Sequence, residues 1–384
     1  MSTALRVDPN LDFVQELARR GGGTAKRCFQ CATCSVTCEL APDERPFPRK
    51  EMLWASFGLR DRLMADPDVF LCYQCNDCTR RCPRGARPGD VLAAVRAVLY
   101  RHYAFPAFMG AALAEPKALL LLLLVPIAVL GALLVVQHGE LGHVVTLMGQ
   151  PRVTYHEFLK HGLLEALFIG GNVVIFLFAL VGFVRFYRAL RAASGVAPRL
   201  GFVAAALATV KEIIAHRRFR DCGANRPRAV AHMLVLFGFV GAITTAGLAV
   251  LTMLIWEHQH PGMKFAGLPL ASPIKWLGVL AGLAMVGGSS IMAVRRLRRT
   301  DEVGADGYAD RLFLAMILLV ALTGLLTWLL RLAALASVAY PVYFVHLVLV
   351  FFLLWYMPYC KLAHMGYRTL ALIWARQSGR LASP

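Results

Sequence analysis

Charged residues are scarce in this sequence, and acidic residues especially so. Only 17% of its 384 residues are charged and 58% are hydrophobic, whereas soluble domains are about a quarter charged and about half apolar. This composition excludes an intrinsically disordered chain and argues against an ordinary soluble enzyme. The 41 basic residues outnumber the 23 acidic ones, and most of the excess lies between long apolar runs. Cationic loops between apolar segments are typical of a protein that crosses a membrane several times, so we expect no nucleic-acid partner.

The first twenty residues contain no apolar stretch of the kind that a secretory signal needs. We therefore expect the segment that follows to stay in a reducing compartment, where structural disulfides are rare. Ten cysteines are present and eight of them fall within residues 28–82. Ligation of a metal or cluster is then the better interpretation of these cysteines.

The eight cysteines form two runs with the same spacing, C-x2-C-x2-C-x3-C. In two-cluster ferredoxins the first three cysteines of such a run bind one [4Fe–4S] cluster and the fourth binds the other. Structural zinc is the alternative, but zinc motifs use paired C-x2-C units rather than triple runs. The sequence thus predicts one cluster on Cys28, Cys31, Cys34 and Cys82, and a second cluster on Cys72, Cys75, Cys78 and Cys38.

The rest of the chain contains apolar runs long enough to cross a bilayer, which takes about 20 residues. Few alternating patterns typical of strands occur, so the fold class is predicted to be all-α. We expect a helical cysteine domain over residues 1–105 and a membrane domain over residues 106–384. The apolar segment 201–217 is shorter and holds Lys211 and Glu212, so it is predicted to lie on the membrane surface, with a seventh span as the alternative. The six predicted spans are residues 117–137, 162–184, 229–255, 273–294, 312–330 and 341–359.

The basic residues of the loops predict the orientation in the membrane. Loops 185–228 and 295–311, with the tail 361–384, carry 19 Lys and Arg, whereas the loops on the other side, 138–160, 256–275 and 331–341, carry 5. We therefore expect both termini and the cysteine domain on the cytoplasmic side of an inner membrane.

Two histidines near the end of the chain predict a haem site. His346 and His364 are 18 residues apart, which on one helix is five turns and roughly 27 Å, so both rings would share a face at opposite membrane surfaces. Axial ligation of haem by imidazoles from facing helices is their natural use, and interfacial histidines are the alternative. His232 begins the third span at the depth of His364, so this pair is predicted to hold haem b on the cytoplasmic side. His346 with His161 would hold a second haem b on the outer side.

No nucleophile or acid–base constellation is evident, and no catalytic residue is predicted. A redox-driven pump or transporter would need several carboxylates inside the membrane, yet only Glu165 lies clearly within a predicted span. A passive membrane anchor with unused histidines is a third interpretation. Haem absorbance would distinguish such an anchor from an electron-transfer protein that binds haem.

Three stretches carry resemblances to known families. The segment YPVYFVHLVLVFFLLWYMPYCKLAHMGYR resembles the last helix of the nitrate reductase gamma-type cytochrome b, whose two haem-ligating histidines match His346 and His364. The segment RAVAHMLVLFGFVGAITTAG resembles the ligand helix of that family, with His232 at the first histidine. Ala242 stands at the second, which leaves the outer haem either absent or ligated by His161. Residues 10–105 resemble the C-type subunit of heterodisulfide reductase, an α-helical ferredoxin.

The fusion of an α-helical ferredoxin domain with a six-helix cytochrome b bundle is similar to the C-type subunit of the quinone-interacting membrane-bound oxidoreductase complex. This resemblance implies exchange of electrons between menaquinone or another quinone and soluble flavin/iron–sulfur subunits. It also implies that those subunits resemble the A-type subunit of heterodisulfide reductase, with adenylylsulfate reductase as the terminal partner. The same pattern would suit the membrane subunit of another heterodisulfide-reductase-like complex.

Overall fold

A computed structural model describes residues 8–139, 141–221, 226–260, 268–269, 271–298, 304 and 307–381. Every regular element in this part of the chain is a helix and none is a strand, so the all-α prediction is confirmed.

The cysteine domain consists of short helices wrapped around one long one. Pro88 opens the long helix, where its fixed φ suits the first turn and its missing N–H costs no bond. The apolar side of this helix, with Val91, Val95 and Leu99, is fully buried against Phe13 and Met52 of other helices. The helices are α1 (Leu11–Leu17), α2 (Thr33–Thr37), α3 (Arg49–Ser56), α4 (Arg60–Met64), α5 (Asp68–Leu71), α6 (Asp77–Arg80) and α7 (Pro88–Tyr103).

The membrane domain contains six helices that are long and apolar enough to cross a bilayer, which confirms the predicted number for the described residues. A π turn joins α12 to α13 within the second of them. These six are Pro116–His138, His161–Ser194, Arg228–Gln259, Pro273–Leu297, Tyr308–Leu332 and Ala336–Trp355. The α-helices of this part are α8 (Ala107–Ala114), α9 (Leu119–His138), α10 (Leu141–Met148), α11 (Tyr155–Phe158), α12 (His161–Glu165), α13 (Gly171–Ser194), α14 (Phe202–Ala215), α15 (Arg217–Asp221), α16 (Arg226–Gln259), α17 (Pro273–Leu297), α18 (Tyr308–Leu332), α19 (Ala336–Trp355) and α20 (His364–Gln377).

The segment 201–217 forms α14, which is shorter than the six candidate spans and is not among them. Ala205 and Thr209 on one face are fully buried, and α14 packs on α20. Val203 and Leu207 on the other face are 70% and 60% exposed. An exposed apolar face of this kind suits a helix at the membrane surface.

The prediction that His346 and His364 share one helix is wrong. Helix α19 ends at Trp355, two short 3-10 turns follow, and His364 begins the separate helix α20. Pro358 is the physical reason, because proline cannot donate a helical hydrogen bond and its ring disfavours a helical conformation of Met357. The last span accordingly runs over Ala336–Trp355 rather than 341–359.

Helix α20 turns back against the cysteine domain and joins it to the membrane helices. Its Tyr367 ring stacks on Phe70 of α5, with centroids 5.9 Å apart, and meets Phe186 of α13 edge-on at 5.2 Å. Beyond α20, Arg380 donates two hydrogen bonds to the buried carboxylate of Asp68. The cysteine domain is therefore packed directly on one end of the membrane bundle.

Candidate metal centres

The two cysteine runs have the same backbone geometry. In the first run Gln30 and Ala32 adopt left-handed φ values of 58° and 66°, and in the second Gln74 and Asn76 adopt 54° and 66° at the equivalent positions. Non-glycine residues in this region are strained, and such strain persists mainly where function requires it. Each run therefore curls in the same way around its first three cysteines.

One group of thiols combines Cys82 of the second run with cysteines of the first run. Burial and then the neighbouring Cys28 raise the pKa of Cys34 to about 11, with a smaller contribution from Cys82. The thiol of Cys31, at the exposed rim, has a lowered pKa because the Thr33 side chain hydrogen-bonds it. Gln30 donates to the Cys28 sulfur at 3.2 Å and the Ala86 N–H donates to the Cys82 sulfur at 3.3 Å.

The second group brings Cys38 of the first run to the first three cysteines of the second. One cavity is lined by Cys38, Cys72, Cys75 and Cys78 together. Burial, followed by Cys72 and Cys75, raises the pKa of Cys38 to about 12, and the same causes raise the pKa of Cys78. The structure thus brings the second crossed set together around one cavity, and in the first set it brings Cys34 near Cys28 and Cys82. The place of the exposed Cys31 in the first cluster stays a prediction.

Both groups suit an iron–sulfur cluster in the chemistry of their donors. Buried thiols that raise one another's pKa need a cationic group among them before they can act as thiolate ligands. The N–H groups that donate to Cys28, Cys72 and Cys82 are of the kind that tunes cluster potentials.

The predicted histidine pair lies where the cysteine domain meets the bundle. The rings of His232 on α16 and His364 on α20 have centroids 6.3 Å apart, at an angle of 78°. The Nδ1 of His364 lies 2.5 Å from the Lys361 carbonyl oxygen, so Nδ1 carries the proton and donates. Burial, and then Arg368, lowers the pKa of His364 to about 3, so the ring is neutral with a lone pair on Nε2.

A third histidine, His216, which no sequence pattern singles out, fixes the tautomer of His232. The Nδ1 of His216 lies 3.3 Å from the Ile214 carbonyl oxygen, so Nδ1 donates and Nε2 is left to accept. The Nδ1 of His232, 3.0 Å from that Nε2, is then the donor. Metal-ligating histidines are usually oriented by such a bond through the second ring nitrogen. His232 therefore also presents an unprotonated Nε2, and the pair suits axial ligation of haem iron.

His346 lies deeper in the bundle, beside a large apolar cavity. The Thr323 hydroxyl donates to the Leu319 carbonyl at 2.7 Å, so it accepts from His346 Nδ1, which lies 3.0 Å away. The cavity has a volume of about 500 Å³ and also borders Ala242. Lys275 and Trp328 also line the cavity, and their Nζ and Nε1 atoms are buried with no hydrogen-bond partner among the described residues.

His161 begins α12, and its ring stacks on His156 with centroids 6.0 Å apart. Its Nε2 is buried and has no hydrogen-bond partner within the part of the chain that the structure describes. The hydrogen bonds and ring contacts of the described residues do not bring His161 to His346, whose ring meets Thr323 and Gly324 of α18.

Two family models match neighbouring parts of the chain. Residues 24–86 match the 4Fe–4S dicluster domain, so iron–sulfur clusters are supported. The C-type subunit of the heterodisulfide,ferredoxin reductase of Methanothermobacter marburgensis is 34% identical over 88 residues, which are 22% of this chain and 46% of that protein. An Archaeoglobus profundus protein, itself described as like the C-type subunit of heterodisulfide reductase, is 38% identical over 94 residues, 24% of this chain and 48% of that one. The chain thus spans about half the length of these relatives.

The membrane part matches a different family. The sequence profile of citrate utilization protein B covers residues 110–384. Citrate utilization protein B of Escherichia coli is 27% identical over 332 residues, 81% of this chain and 82% of that protein. No solved structure matches.

Proposed function

Because the chain belongs to the citrate utilization protein B family, and its cysteine domain is similar to the C-type subunit of heterodisulfide reductase, we propose that it is the membrane subunit of a respiratory electron-transfer complex. It passes electrons between soluble flavin/iron–sulfur subunits and the quinone pool. The six candidate spans support a multi-pass protein, which we place in the inner membrane with its cysteine domain in the cytoplasm.

The residues that hold the cofactors follow from the two thiol groups and the histidine pair. Clusters and haem b, when bound, accept and release single electrons. The chain's part is to hold them in place and to exclude water around them. One cluster belongs to the group with Cys82 and the other to the group with Cys38, while His232 and His364 provide haem ligands. The alternative is that the chain holds two haems, with a second haem b on His346 and His161 at the outer side of the membrane.

The observation that carries the proposal is the arrangement of the two imidazoles. Their centroids are 6.3 Å apart, and hydrogen bonds through Nδ1 leave both Nε2 atoms as acceptors. Two interfacial histidines would have no reason to be held in this matched state. A passive anchor would leave this arrangement unused, and a purified chain without haem absorbance would favour the anchor.

The apolar cavity supports quinone as the membrane substrate. It is bounded mainly by apolar side chains, and its polar lining includes Arg331, the His346 imidazole and the donors Lys275 Nζ and Trp328 Nε1, which have no partner among the described residues. Binding sites for small molecules are typically apolar with a few placed polar groups. A quinone has an apolar ring and tail, and its carbonyl oxygens accept hydrogen bonds from such donors.

Quinone turnover by the purified complex tests this part of the proposal. Lys275→Met keeps the length of the side chain and removes the donor, so we expect the KM for a short-chain quinone to rise while the haem spectrum stays unchanged. Lys160→Met, at an exposed lysine near the same end of the bundle, is the matched control. Wild-type complex without quinone activity would contradict quinone as substrate, and an unchanged KM in Lys275→Met would exclude this cavity.

Two soluble partners can be distinguished by purification. The resemblance to the quinone-interacting complex proposes partners like the A-type subunit of heterodisulfide reductase, with adenylylsulfate reductase as terminal partner. The match of residues 110–384 to citrate utilization protein B favours instead a soluble partner that acts in the use of citrate. Purification of the tagged chain from its own membranes, followed by mass spectrometry of the proteins that remain bound, decides between them.

A further inference from the structure

Two arginines of the membrane domain bind the backbone of the second cysteine run. Arg228 donates through Nη1 to the carbonyl oxygens of Tyr73 at 3.0 Å and Gln74 at 2.7 Å. Arg368 donates through Nη2 to the carbonyl oxygen of Cys72 at 3.0 Å. All three carbonyls belong to the backbone from Cys72 to Gln74. The membrane domain therefore hydrogen-bonds the loop that carries the predicted cluster ligands Cys72 and Cys75.

Each arginine lies one helical turn from a histidine of the candidate haem site. Arg228 precedes His232 by four residues on α16, and Arg368 follows His364 by four residues on α20. Residues four apart lie on the same face of a helix. Each helix that carries one of these imidazoles therefore also carries an arginine that binds the cysteine loop. A displacement of the loop would therefore also displace both helices.

Aromatic rings fill the space between the loop and the histidine pair. The Arg368 guanidinium lies over the Tyr73 ring, 4.2 Å from its centroid. The Tyr73 and Phe219 rings meet edge-on with centroids 5.3 Å apart, and Phe219 lies 5.3 Å from His232. Packed side chains thus connect the second cysteine loop to the imidazole without a gap.

The first cysteine run presents its rim to solvent instead. Cys31 is exposed, and the neighbouring Phe29 and Val36 are 67% and 87% exposed. Arg84 lies over the Phe29 ring, 4.1 Å from its centroid. Exposed apolar side chains beside a cation are suited to contact with another protein.

We propose that Arg228 and Arg368 are positioning residues that fix the order of electron transfer within this chain. They hold the cluster of Cys38, Cys72, Cys75 and Cys78 next to the histidine pair. The cluster of Cys28, Cys31, Cys34 and Cys82 then exchanges electrons with the soluble partner. This inference rests on the proposed function, and it adds the sequence in which the two clusters act and the residues that impose it.

The two arginines also affect the cluster that they hold. Cluster potentials depend on net charge and on nearby hydrogen bonds, and two guanidinium groups beside one loop favour the reduced, more negative state of its cluster. Loss of either arginine should therefore lower the potential of the cluster on Cys38, Cys72, Cys75 and Cys78. The potential of the other cluster should not change.

The test compares Arg228→Gln, Arg368→Gln and the double variant in the full complex. Redox titration followed by EPR measures the potential of each cluster, and rapid mixing with a chemical reductant measures the rate at which electrons reach the haem. Each lost charge-assisted bond should lower the equilibrium constant for docking of the cysteine loop about tenfold, and the rate of haem reduction should fall with the docked fraction, most of all in the double variant. Arg191→Gln, at an exposed arginine of α13, is the matched control.

Lysine variants separate charge from docking. Arg368→Lys keeps the charge but loses the planar donor geometry, so the cluster potential should recover while haem reduction stays slow. If the double variant does not assemble, the single glutamine and lysine variants decide. Unchanged potentials and rates, or a change confined to the cluster with Cys82, would overturn the inference. Wild-type complex without haem or without cluster-to-haem transfer would contradict the proposed function itself.

Discussion

Single imidazoles in this protein are oriented by the hydrogen bond that each makes through Nδ1. The acceptor is the Lys361 carbonyl for His364, the Nε2 of His216 for His232, and the Thr323 hydroxyl for His346. The sequence predicts His232, His346 and His364 as haem ligands from their depth, although His346 and His364 do not share the helix that their spacing suggested. It did not identify His216, because a histidine among Arg217 and Arg218 looks like part of a solvated basic surface. Only the fold, which turns α15 back onto α16, brings His216 to His232.

The crossed assignment of the cysteines leads to a prediction for Cys82. Replacement of Cys82 by Ala should damage the cluster of Cys28, Cys31 and Cys34, because Cys82 lies near Cys34 and does not line the cavity of Cys72, Cys75 and Cys78. EPR of the reduced protein should show loss or conversion of one cluster signal while the signal of the second remains.

Cys360→Ala is the control for Cys82→Ala, since Cys360 is a buried free thiol outside both groups. Loss of the cluster on Cys72, Cys75 and Cys78 in the Cys82 variant, with the other intact, would mean that each run ligates its own cluster.

A buried carboxylate in the cysteine domain gives a prediction with a pH dependence. Glu51 is fully buried, and burial, then Asp66 and Asp68, raise its pKa well above the usual range, against the opposing effect of Lys50. A carboxyl group whose folded pKa is raised costs stability at any pH above its unfolded pKa, and the cost disappears as the pH falls from the folded pKa to the unfolded pKa.

Glu51→Gln should therefore raise the free energy of unfolding by about 1–3 kcal/mol at neutral pH, because the amide folds without the proton uptake that the carboxyl group requires there. The difference from the wild type should shrink as the pH is lowered, and thermal unfolding in detergent measures it. Glu44→Gln, at an exposed position, should change little. A destabilised Glu51 variant at neutral pH would show that the carboxylate is needed as a counter-ion for Lys50.

Among the elements, the spans were predictable and the last helix was not. Hydropathy alone located six apolar segments, because a bilayer requires about 20 apolar residues in each. The end of α19 depends on Pro358, a local signal that the count of turns from His346 to His364 ignored. The pairing of His364 with His232 still occurs, since α20 brings its first residue back to the start of α16.

Helix α20 and the chain beyond it are tied to the cysteine domain by Arg380, which binds both carboxylate oxygens of the fully buried Asp68. Arg380→Gln leaves that carboxylate with Lys50 as its remaining cation. The free energy of unfolding should fall by about 1.5–3 kcal/mol, the value of a charge-assisted hydrogen bond. Arg191→Gln serves as control, and equal thermal unfolding of the two variants would show that the C-terminal segment is not held by this pair.

For the whole molecule, the distribution of basic residues predicts an orientation that a reporter can test. Gly195 lies between α13 and α14, and Gly149 follows α10, so the two glycines lie at opposite ends of the second span. A reporter inserted at Gly195 should be cytoplasmic and one at Gly149 periplasmic, because the basic loops stay inside. The reverse result would put the cysteine domain on the wrong side for a cytoplasmic partner.

The whole molecule also shows where sequence reasoning ends. Spacing alone leads to the predicted grouping of the cluster ligands, since eight cysteines form two runs of equal spacing. The contacts of Arg228 with Tyr73 and of Arg368 with Cys72 join residues 155 and 296 positions apart. No local pattern contains such pairs, because they depend on how the cysteine domain packs on the bundle.

The central claim is that His232 and His364 hold the haem that receives electrons from the clusters. The most direct test is the reduced-minus-oxidised absorbance of b-type haem per chain in three purified variants. His232→Ala and His364→Ala should lose the same low-spin signal, since each removes one axial ligand. His346→Ala should retain that signal, because His346 lies in α19 beside the cavity. A full low-spin spectrum with quinone activity in His232→Ala would contradict the account.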